Sequence, residues 1–240
     1  MKAQQRHQLK QNEVARTAAR AVETFTENRD RIMTITVIVL LVAAVAGGWF
    51  YWRKRTNDKA GAMLGVALTI TNSPIVPAPT IPGATQAPGT YPSDRARQEA
   101  SLKAFQDVAT AYPSTAAGLA AQYHAGASLL LLERFPEAEK TFADVAARAG
   151  SSVYGPMAKM GRAEAFAGES KYDEAIKVLT ELSADRDGAL PVDGVLNELA
   201  RACVKAGKKA EARAAFKRIV DEFPESVYGT DARQQLAALN

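Results

Sequence analysis

The sequence predicts an all-α protein in which one N-terminal transmembrane helix precedes a solenoid of helical hairpins. Two observations lead to this prediction: residues 32–52 form an uncharged apolar run, and from residue 94 to the end a helical pattern repeats every 37 residues. With 47% apolar and 23% charged residues, the composition is that of a folded chain. A length of 240 residues leaves room for one sizeable domain beside the membrane segment.

The apolar run is 21 residues long and lies between Arg31 and Arg53. A helix rises about 1.5 Å per residue, so this run spans a hydrocarbon layer of about 30 Å. Trp49, Tyr51 and Trp52 lie at its C-terminal end, where amphipathic rings favour the headgroup region. Residues 32–52 are therefore predicted to cross the membrane.

A cleavable signal peptide is the alternative, because Ala44-Val45-Ala46 has the small-x-small form of a cleavage site. Thirty-one residues precede the run, however, and the run is longer than the usual apolar region of about 7 to 15 residues. Within 20 residues of the run, each flank carries four Lys and Arg residues, whereas the whole N-terminal tail carries seven. The full count favours a cytoplasmic N-terminus.

The tail at residues 1–31 has no proline or glycine, and Val14, Ala18, Val22 and Phe25 recur at the spacing of one helical face. This pattern predicts a helix. One interpretation is a juxtamembrane helix that lies on anionic headgroups or docks on a cytosolic partner. The other is a solvated extension of the membrane helix.

Residues 53–93 form a juxtamembrane segment and a proline-rich linker. A short helix is predicted at 59–71, and the stretch 72–93 then holds six of the eleven prolines. Proline lacks the backbone N–H that helices and sheets require, so this stretch is predicted to be a semi-extended spacer between the bilayer and the repeats.

The repeats occupy residues 94–240, as a half unit followed by three 37-residue units. Four positions keep the period: Glu137, Glu174 and Glu211, then Ala138, Ala175 and Ala212, then Phe105, Phe142, Leu179 and Phe216, then Val108, Val145, Leu182 and Ile219. The turn Ser-Val-Tyr-Gly at 152–155 recurs at 226–229, two periods later. Such a period with only helical patterning indicates stacked helix pairs. In the first full unit, we expect helix A near 115–132 and helix B near 136–149, with Pro136 in the first turn.

These residues resemble the tetratricopeptide repeat. Its small residue, later alanine and following bulky residue appear as Gly126, Ala138 and Phe142, as Ala163, Ala175 and Leu179, and as Ala200, Ala212 and Phe216. The resemblance implies a concave surface, formed by the A helices, that binds proteins or peptide segments. In the family register, the candidate groove residues are Tyr123, Leu130, Leu131, Met157, Met160, Glu164, Asn197, Arg201 and Lys205. The alternative is that several of them pack between units.

The arrangement of tail, single membrane helix and repeats is similar to that of the bacterial ancillary subunits of the Sec translocon. This resemblance implies a bacterial inner-membrane protein with one span and an extracytoplasmic repeat domain, which binds translocating or newly exported proteins. The segments at 105–115 and 216–226 are equally similar to repeats of envelope lipoproteins and cell-division coordinators. The alternative function is therefore a structural or assembly factor of an envelope complex, of the division or outer-membrane biogenesis type, which forms a homo-oligomer and handles no client chain.

The sequence offers little for catalysis or metal binding. Cys203 is the only cysteine and is predicted to be buried, and His124 has no metal-ligating residue at a suitable spacing. The acidic pairs Asp173-Glu174 and Asp221-Glu222 are interpreted as solvated charges at helix ends. We therefore predict a protein that is not an enzyme and has no cofactor and no metal.

The net charge of +4 is unevenly distributed. Residues 1–59 carry 11 Lys and Arg against 5 Asp and Glu, whereas residues 94–240 carry 19 against 21. A nucleic-acid-binding domain would need excess positive charge on its folded surface. The slightly acidic repeat region argues against nucleic acid as a partner.

Overall fold

The computed structural model describes residues 29–80, 85–186 and 188–239. Most of the predicted helical tail, residues 1–28, lies outside the described residues. Within these ranges every regular element is a helix, apart from an isolated bridge between Ile75 and Tyr91. The chain divides into two compact units, Met1–Arg55 and Thr56–Asn240.

The helices follow one another with short connections, except after the first. They are α1 (Arg29–Thr71), α2 (Asp94–Ala111), α3 (Ala116–Leu131), α4 (Phe135–Arg148), α5 (Tyr154–Gly168), α6 (Tyr172–Ala184), α7 (Val192–Lys205), α8 (Lys209–Glu222) and α9 (Gly229–Ala238). Serine and threonine begin two of them: Ser93 Oγ accepts the N–H of Ala96, and Thr115 Oγ1 accepts that of Gly118. The all-α solenoid predicted from the sequence is confirmed.

The first unit contains the apolar part of α1. Its large side chains are exposed along the helix, including Ile35, Leu40 and Phe50. Among the described residues, α1 is the one helix long and apolar enough to cross a membrane. The rings of Trp49 and Trp52 lie 5.5 Å apart, at the end of the apolar run.

The second unit begins with the last part of α1, which packs as a repeat helix. Ala60 and Ala67 are fully buried, and Ala67 belongs to the same apolar cluster as Leu102 and Phe105 of α2. Thr71 Oγ1 and Ser101 Oγ lie 3.4 Å apart. Ser101 stands one period before Ala138, so α2 takes the place of a helix B and residues 60–71 take that of its helix A. The expected half unit thus has a partner helix.

The proline-rich segment is the loop that joins these two helices. The N–H of Val76 donates to the carbonyl of Tyr91 at 2.9 Å, and the N–H of Tyr91 donates to the carbonyl of Pro74 at 3.0 Å. Arg97 Nη1 donates to the carbonyl of Ser73 at 3.3 Å. The two ends of the loop are therefore held together. The segment differs from the expected spacer between the bilayer and the repeats, because residues 60–71 of α1, which precede it, already pack as a repeat helix.

The periodic positions form the core of the repeats. Ala138, Ala175 and Ala212 are fully buried, as expected where helix A and helix B of one unit approach most closely. Phe142, Leu179 and Phe216, one helical turn later, are exposed by 3% or less. Burial of an aromatic or leucine side chain contributes about 1.5 to 3 kcal/mol, so these positions hold the stack together.

Helix A ends in the same way in each full unit. Glu133, Ser170 and Gly207, which are one period apart, all have a φ between 59° and 73°. The next residue then donates its N–H back into helix A, as Arg134 to Leu129, Lys171 to Phe166 and Lys208 to Cys203. This left-handed residue closes the helix and turns the chain into helix B.

Candidate functional site

The candidate site is a cleft between α5 and α7, two A helices of neighbouring units. It encloses about 70 Å³. Its floor is apolar and its rim is charged; the lining residues are Ala163, Glu164, Ala167, Leu179, Glu198, Arg201, Ala202 and Lys205. Helical periodicity explains the rim, because residues 198, 201, 202 and 205 share one face of α7. The adjoining face of α7 carries Val195, Leu199 and Cys203 into the core, to which Ala202 of the cleft floor also belongs.

Two carboxylates face the cleft from opposite helices. Burial of Glu164, and next the negative charge of Glu198, raise the pKa of the Glu164 carboxyl above its ordinary value. Within the described part of the chain, neither carboxylate forms an ion pair, and Arg201 and Lys205 form none either. The cleft therefore presents charges of both signs that no neighbouring side chain neutralises.

Asn197 precedes Glu198 on α7, and only 4% of it is exposed. Its Nδ2 donates to Glu198 Oε1 at 3.4 Å, which orients the carboxylate. Its Oδ1 is buried and has no hydrogen-bond partner. A buried acceptor without a donor costs free energy, and Asn197 is not among the residues that line the cleft.

Three of the predicted groove residues line this cleft: Glu164, Arg201 and Lys205. Arg201 and Lys205 also line a second, more open cleft, with Val204, Phe216, Asp231 and Gln235. The two cations thus form a ridge on α7 between neighbouring depressions. Asn197, predicted for the same groove, is buried and lines neither of these two clefts.

The other predicted groove residues are distributed differently. Tyr123 is half-buried, and its ring contacts those of His124, Phe142 and Tyr154 at 5.4 to 5.7 Å. Burial raises the pKa of its hydroxyl, and the charge of Glu164 raises it further. Leu130 packs against the same cluster. Tyr123 and Leu130 therefore contribute mainly to packing between α3, α4 and α5, the alternative left open by the sequence.

Leu131 is 65% exposed at the end of α3. Met157 and Met160 are half-buried on α5, and Met160 packs against the core that contains Phe166 and Leu196. These three residues stay candidates for contact with a partner, although none of them lines the charged cleft.

Glu198 belongs to the site but was not among the predicted residues. The signal that could have revealed it is helical spacing, because it lies three residues before Arg201 and seven before Lys205. Its pairing with Glu164 could not be found from sequence alone, since it depends on how α5 and α7 approach each other.

The remaining polar candidates are structural. Cys203 is buried, as predicted, and burial raises the pKa of its thiol, which disfavours the reactive thiolate. The His124 ring stacks on Phe105 at 5.1 Å, and burial lowers the pKa of its imidazole. In the described ranges, no group of three or more His, Cys, Asp or Glu side chains is placed to hold a metal ion.

Comparisons with known proteins agree with this architecture. The comparison with curated protein sequences returned no match. Among solved structures, a putative kinesin light chain from Podosopora anserina with nearly identical TPR-like repeats is 14% identical; the alignment covers 76% of this chain and 86% of that one, with a TM-score of 0.57. A point variant of that protein gives the same score and identity. A tetratricopeptide repeat protein from Parabacteroides merdae is 12% identical over 61% of this chain and 55% of its own, with a TM-score of 0.49.

At these identities, the structural likeness shows the fold alone. The family comparison goes further, because it matches residues 23–240, which include the apolar part of α1 as well as every repeat. The match covers far more than half of the chain. The chain therefore belongs to the tetratricopeptide repeat-like domain family, whose fold typically serves as a non-catalytic scaffold for binding proteins or peptides.

Proposed function

We propose that the chain is a single-pass scaffold of the bacterial inner membrane, with a cytoplasmic N-terminus and an extracytoplasmic repeat domain that binds translocating or newly exported proteins near the Sec machinery. The observation that carries the proposal is the family match, because the matched residues include both a helix of membrane-spanning length and the repeats. The similarity of this arrangement to ancillary Sec-translocon subunits supports the choice of partner.

The cleft supports protein binding more directly. Its charges are unneutralised and it opens between two A helices, where an extended segment of another protein can contact residues of two units at once. Specific contacts of this kind, made by a few side chains at the centre of an interface, dominate the energy of protein binding.

Site-specific photo-crosslinking tests the proposal. Benzoylphenylalanine replaces Lys205, at the rim of the cleft, or Lys177, an exposed residue on α6 that serves as the control. Membranes containing either variant are incubated with a radiolabelled secretory precursor whose translocation is arrested. We expect a crosslink to the precursor from position 205 and none from position 177. Equal crosslinking from both positions, or none from either, contradicts the proposal.

The second candidate function is an assembly factor of a cell-envelope complex that forms a homo-oligomer. One observation favours it: the outer face of α1 within the repeat unit is uncharged, with Met63 and Val66 exposed and open space around Gly61 and Gly65. The end of a solenoid is normally polar, and small residues let helices approach closely. Sedimentation of the full chain in detergent distinguishes the two: a stable oligomer that dissociates in a Val66→Glu variant favours assembly, and a monomer favours the scaffold.

A further inference from the structure

The loop at residues 72–93 is long, rich in proline and uncharged. Its 22 residues contain six prolines and five serine or threonine residues, and none of the 22 is Asp, Glu, Lys or Arg. Loops longer than about 12 to 15 residues are uncommon in compact domains and usually have a function of their own. Proline combined with hydroxyl-bearing residues is the composition of segments that carry O-linked glycans. The hydroxyl groups of this loop are therefore candidates for modification.

Hydrogen bonds hold the two ends of the loop and leave its middle exposed. Gln86 Nε2 donates to the carbonyl of Val76 at 2.9 Å, beside the backbone bonds that join Val76 and Pro74 to Tyr91. Between Val76 and Gln86 the structure describes residues 77–80 and 85, all of which are exposed and lie outside helices and strands. Proline fixes its own φ and disfavours the helical conformation of the residue before it, so this part of the chain is extended and accessible.

Three of the five hydroxyl groups have a structural role. Ser73 Oγ donates to a backbone carbonyl of α1, and Ser93 Oγ caps α2. Thr90 Oγ1 donates to the carbonyl of Ala87 at 2.7 Å and accepts a hydrogen bond from Gln86 Nε2 at 2.8 Å. Modification of any of these oxygens would break a bond that holds the loop or begins a helix.

The hydroxyl groups of Thr80 and Thr85 are free. Both residues are exposed, and within the described part of the chain neither hydroxyl has a hydrogen-bond partner. Each threonine has a proline within three residues on both sides: Pro79 and Pro82 for the first, Pro82 and Pro88 for the second. A free hydroxyl on an exposed loop can enter the active site of another enzyme without unfolding of the repeats.

We propose that Thr80 and Thr85 are acceptors of O-linked glycans. Threonine Oγ1 forms a bond to the anomeric carbon of a sugar linked to a polyprenyl diphosphate, and the bond between that carbon and the phosphate oxygen breaks. The diphosphate leaves with the electron pair of that bond, and a base of the glycosyltransferase takes the hydroxyl proton. The attached glycan is bulky and solubilising, and it shields a loop that has no charge of its own.

The proposal rests on the proposed function in one respect, the extracytoplasmic position of the repeat domain, where such lipid-linked sugars are transferred. It does not depend on what the cleft binds. Accessibility of a Glu225→Cys thiol to a membrane-impermeant maleimide in spheroplasts measures that position separately, because Glu225 is exposed on a turn of the repeats.

The test is the intact mass of the full chain, purified in detergent from its native membranes. The wild type is compared with the double variant Thr80→Val, Thr85→Val, which removes both free hydroxyl groups and keeps branched side chains of similar size. The matched control is Thr90→Val, from the same loop, where the hydroxyl is hydrogen-bonded and prolines lie two residues away on both sides. Circular dichroism checks that all three proteins are folded.

We expect the wild type and Thr90→Val to exceed the masses of their sequences by the same one or two glycans, and the double variant to have the mass of its sequence. Electron-transfer fragmentation should place the glycans on Thr80 and Thr85. An unmodified wild type overturns the inference: the proposed location stands if Glu225→Cys is labelled and is contradicted as well if that thiol is protected. Added mass of phosphate only, or glycans that persist in the double variant, also overturns the inference.

Discussion

Gly161 and Gly207 are both favoured by the fold, but for different physical reasons. A Cβ on Gly161 would lie 2.5 Å from Phe142 Cζ, inside the van der Waals contact distance. A Cβ at Gly207 meets nothing within 4 Å, but its φ of 73° is strained for any residue with a side chain. Gly65 on α1 has neither constraint and provides a matched reference.

These differences predict three outcomes for the same glycine-to-alanine change. Gly161→Ala should destabilise the fold by about 1 to 3 kcal/mol because it overpacks the core. Gly207→Ala should cost about 1 kcal/mol through backbone strain. Gly65→Ala should be neutral or stabilise by up to about 1 kcal/mol, because alanine favours an exposed helix. Urea unfolding of the full chain in detergent measures all three. If Gly161→Ala is as stable as Gly65→Ala, the packing described for Phe142 is wrong.

Glu164 gives stability a predictable dependence on pH. Its pKa is raised in the folded chain, mainly by burial and secondarily by Glu198, above the ordinary value of 4.5. The folded state therefore gives up this proton less readily than the unfolded state does, and stability falls as the pH rises through the interval between the ordinary and the raised pKa. Glutamine has no proton to lose and resembles the protonated carboxyl in shape.

We therefore expect Glu164→Gln to match the wild type at low pH and to be the more stable protein near neutrality. Urea midpoints of both proteins, measured from about pH 4 to about pH 7, check this. The Glu181→Gln control, on an exposed residue of α6, should follow the wild type throughout. A difference between Glu164→Gln and wild type that does not change with pH would show that the carboxyl is not perturbed by folding.

At the scale of secondary-structure elements, α1 has two roles along its length. Its earlier part is exposed and apolar, whereas Ala60 and Ala67 are buried in the repeat unit. Alanine at these positions allows close helix packing, and a larger charged side chain would be left without a partner in an apolar contact. Ala62, on the same stretch, is exposed.

Ala67→Arg should therefore loosen the first helix pair, and Ala62→Arg should not. Hydrogen exchange measured by mass spectrometry on the full chain gives the local stability of each helix separately. We expect peptides from α2 to exchange at least about tenfold faster in Ala67→Arg, consistent with a loss of more than about 1.4 kcal/mol of local stability. Unchanged protection of α2 would mean that residues 60–71 are not the partner of this helix.

Much of the repeat architecture could be predicted because the residues that recur every 37 positions are the buried ones. Ala138, Phe142 and Val145 recur with similar side chains one and two periods later, and a fixed spacing of apolar residues reports helix packing directly. The helix predicted at 136–149 differs by one residue at each end from α4.

The first helix pair could not be predicted in the same way. The proline-rich loop separates residues 60–71 from α2 by 22 residues, so the 37-residue register does not extend back across it. Alanine, leucine and glycine on α1 suit a membrane segment and a repeat helix equally. Only contacts such as those of Ala67 and Thr71 distinguish the two.

The candidate site could be predicted in part. The family register gave Glu164, Arg201 and Lys205, whereas Glu198 and its closeness to Glu164 depend on how α5 and α7 approach each other. Tyr123 was predicted for the groove because the family register places it on helix A. Its ring instead packs against Phe142 and Tyr154, since Gly126 and Gly161 leave room for aromatic side chains around this position.

At the scale of the whole molecule, the excess positive charge lies outside the repeats that carry the candidate binding cleft. The positive excess lies in residues 1–59, on both flanks of the apolar run, and the repeats carry a small negative excess. Cations beside a membrane helix fix its orientation, and a repeat domain of mixed charge with an open cleft suits protein partners. The scaffold function requires that the cleft and the exported chains lie on the same side of the membrane.

Thiol labelling of intact spheroplasts tests this requirement most directly. The only native cysteine, Cys203, is buried and has a raised pKa, so the wild type should stay unlabelled by a membrane-impermeant maleimide. Glu225→Cys places a thiol on an exposed turn of the repeats, and Gln8→Cys places one in the N-terminal tail. In spheroplasts we expect the maleimide to label Glu225→Cys at once and Gln8→Cys only after lysis. Labelling of Gln8→Cys in intact spheroplasts, with Glu225→Cys protected until lysis, would contradict it.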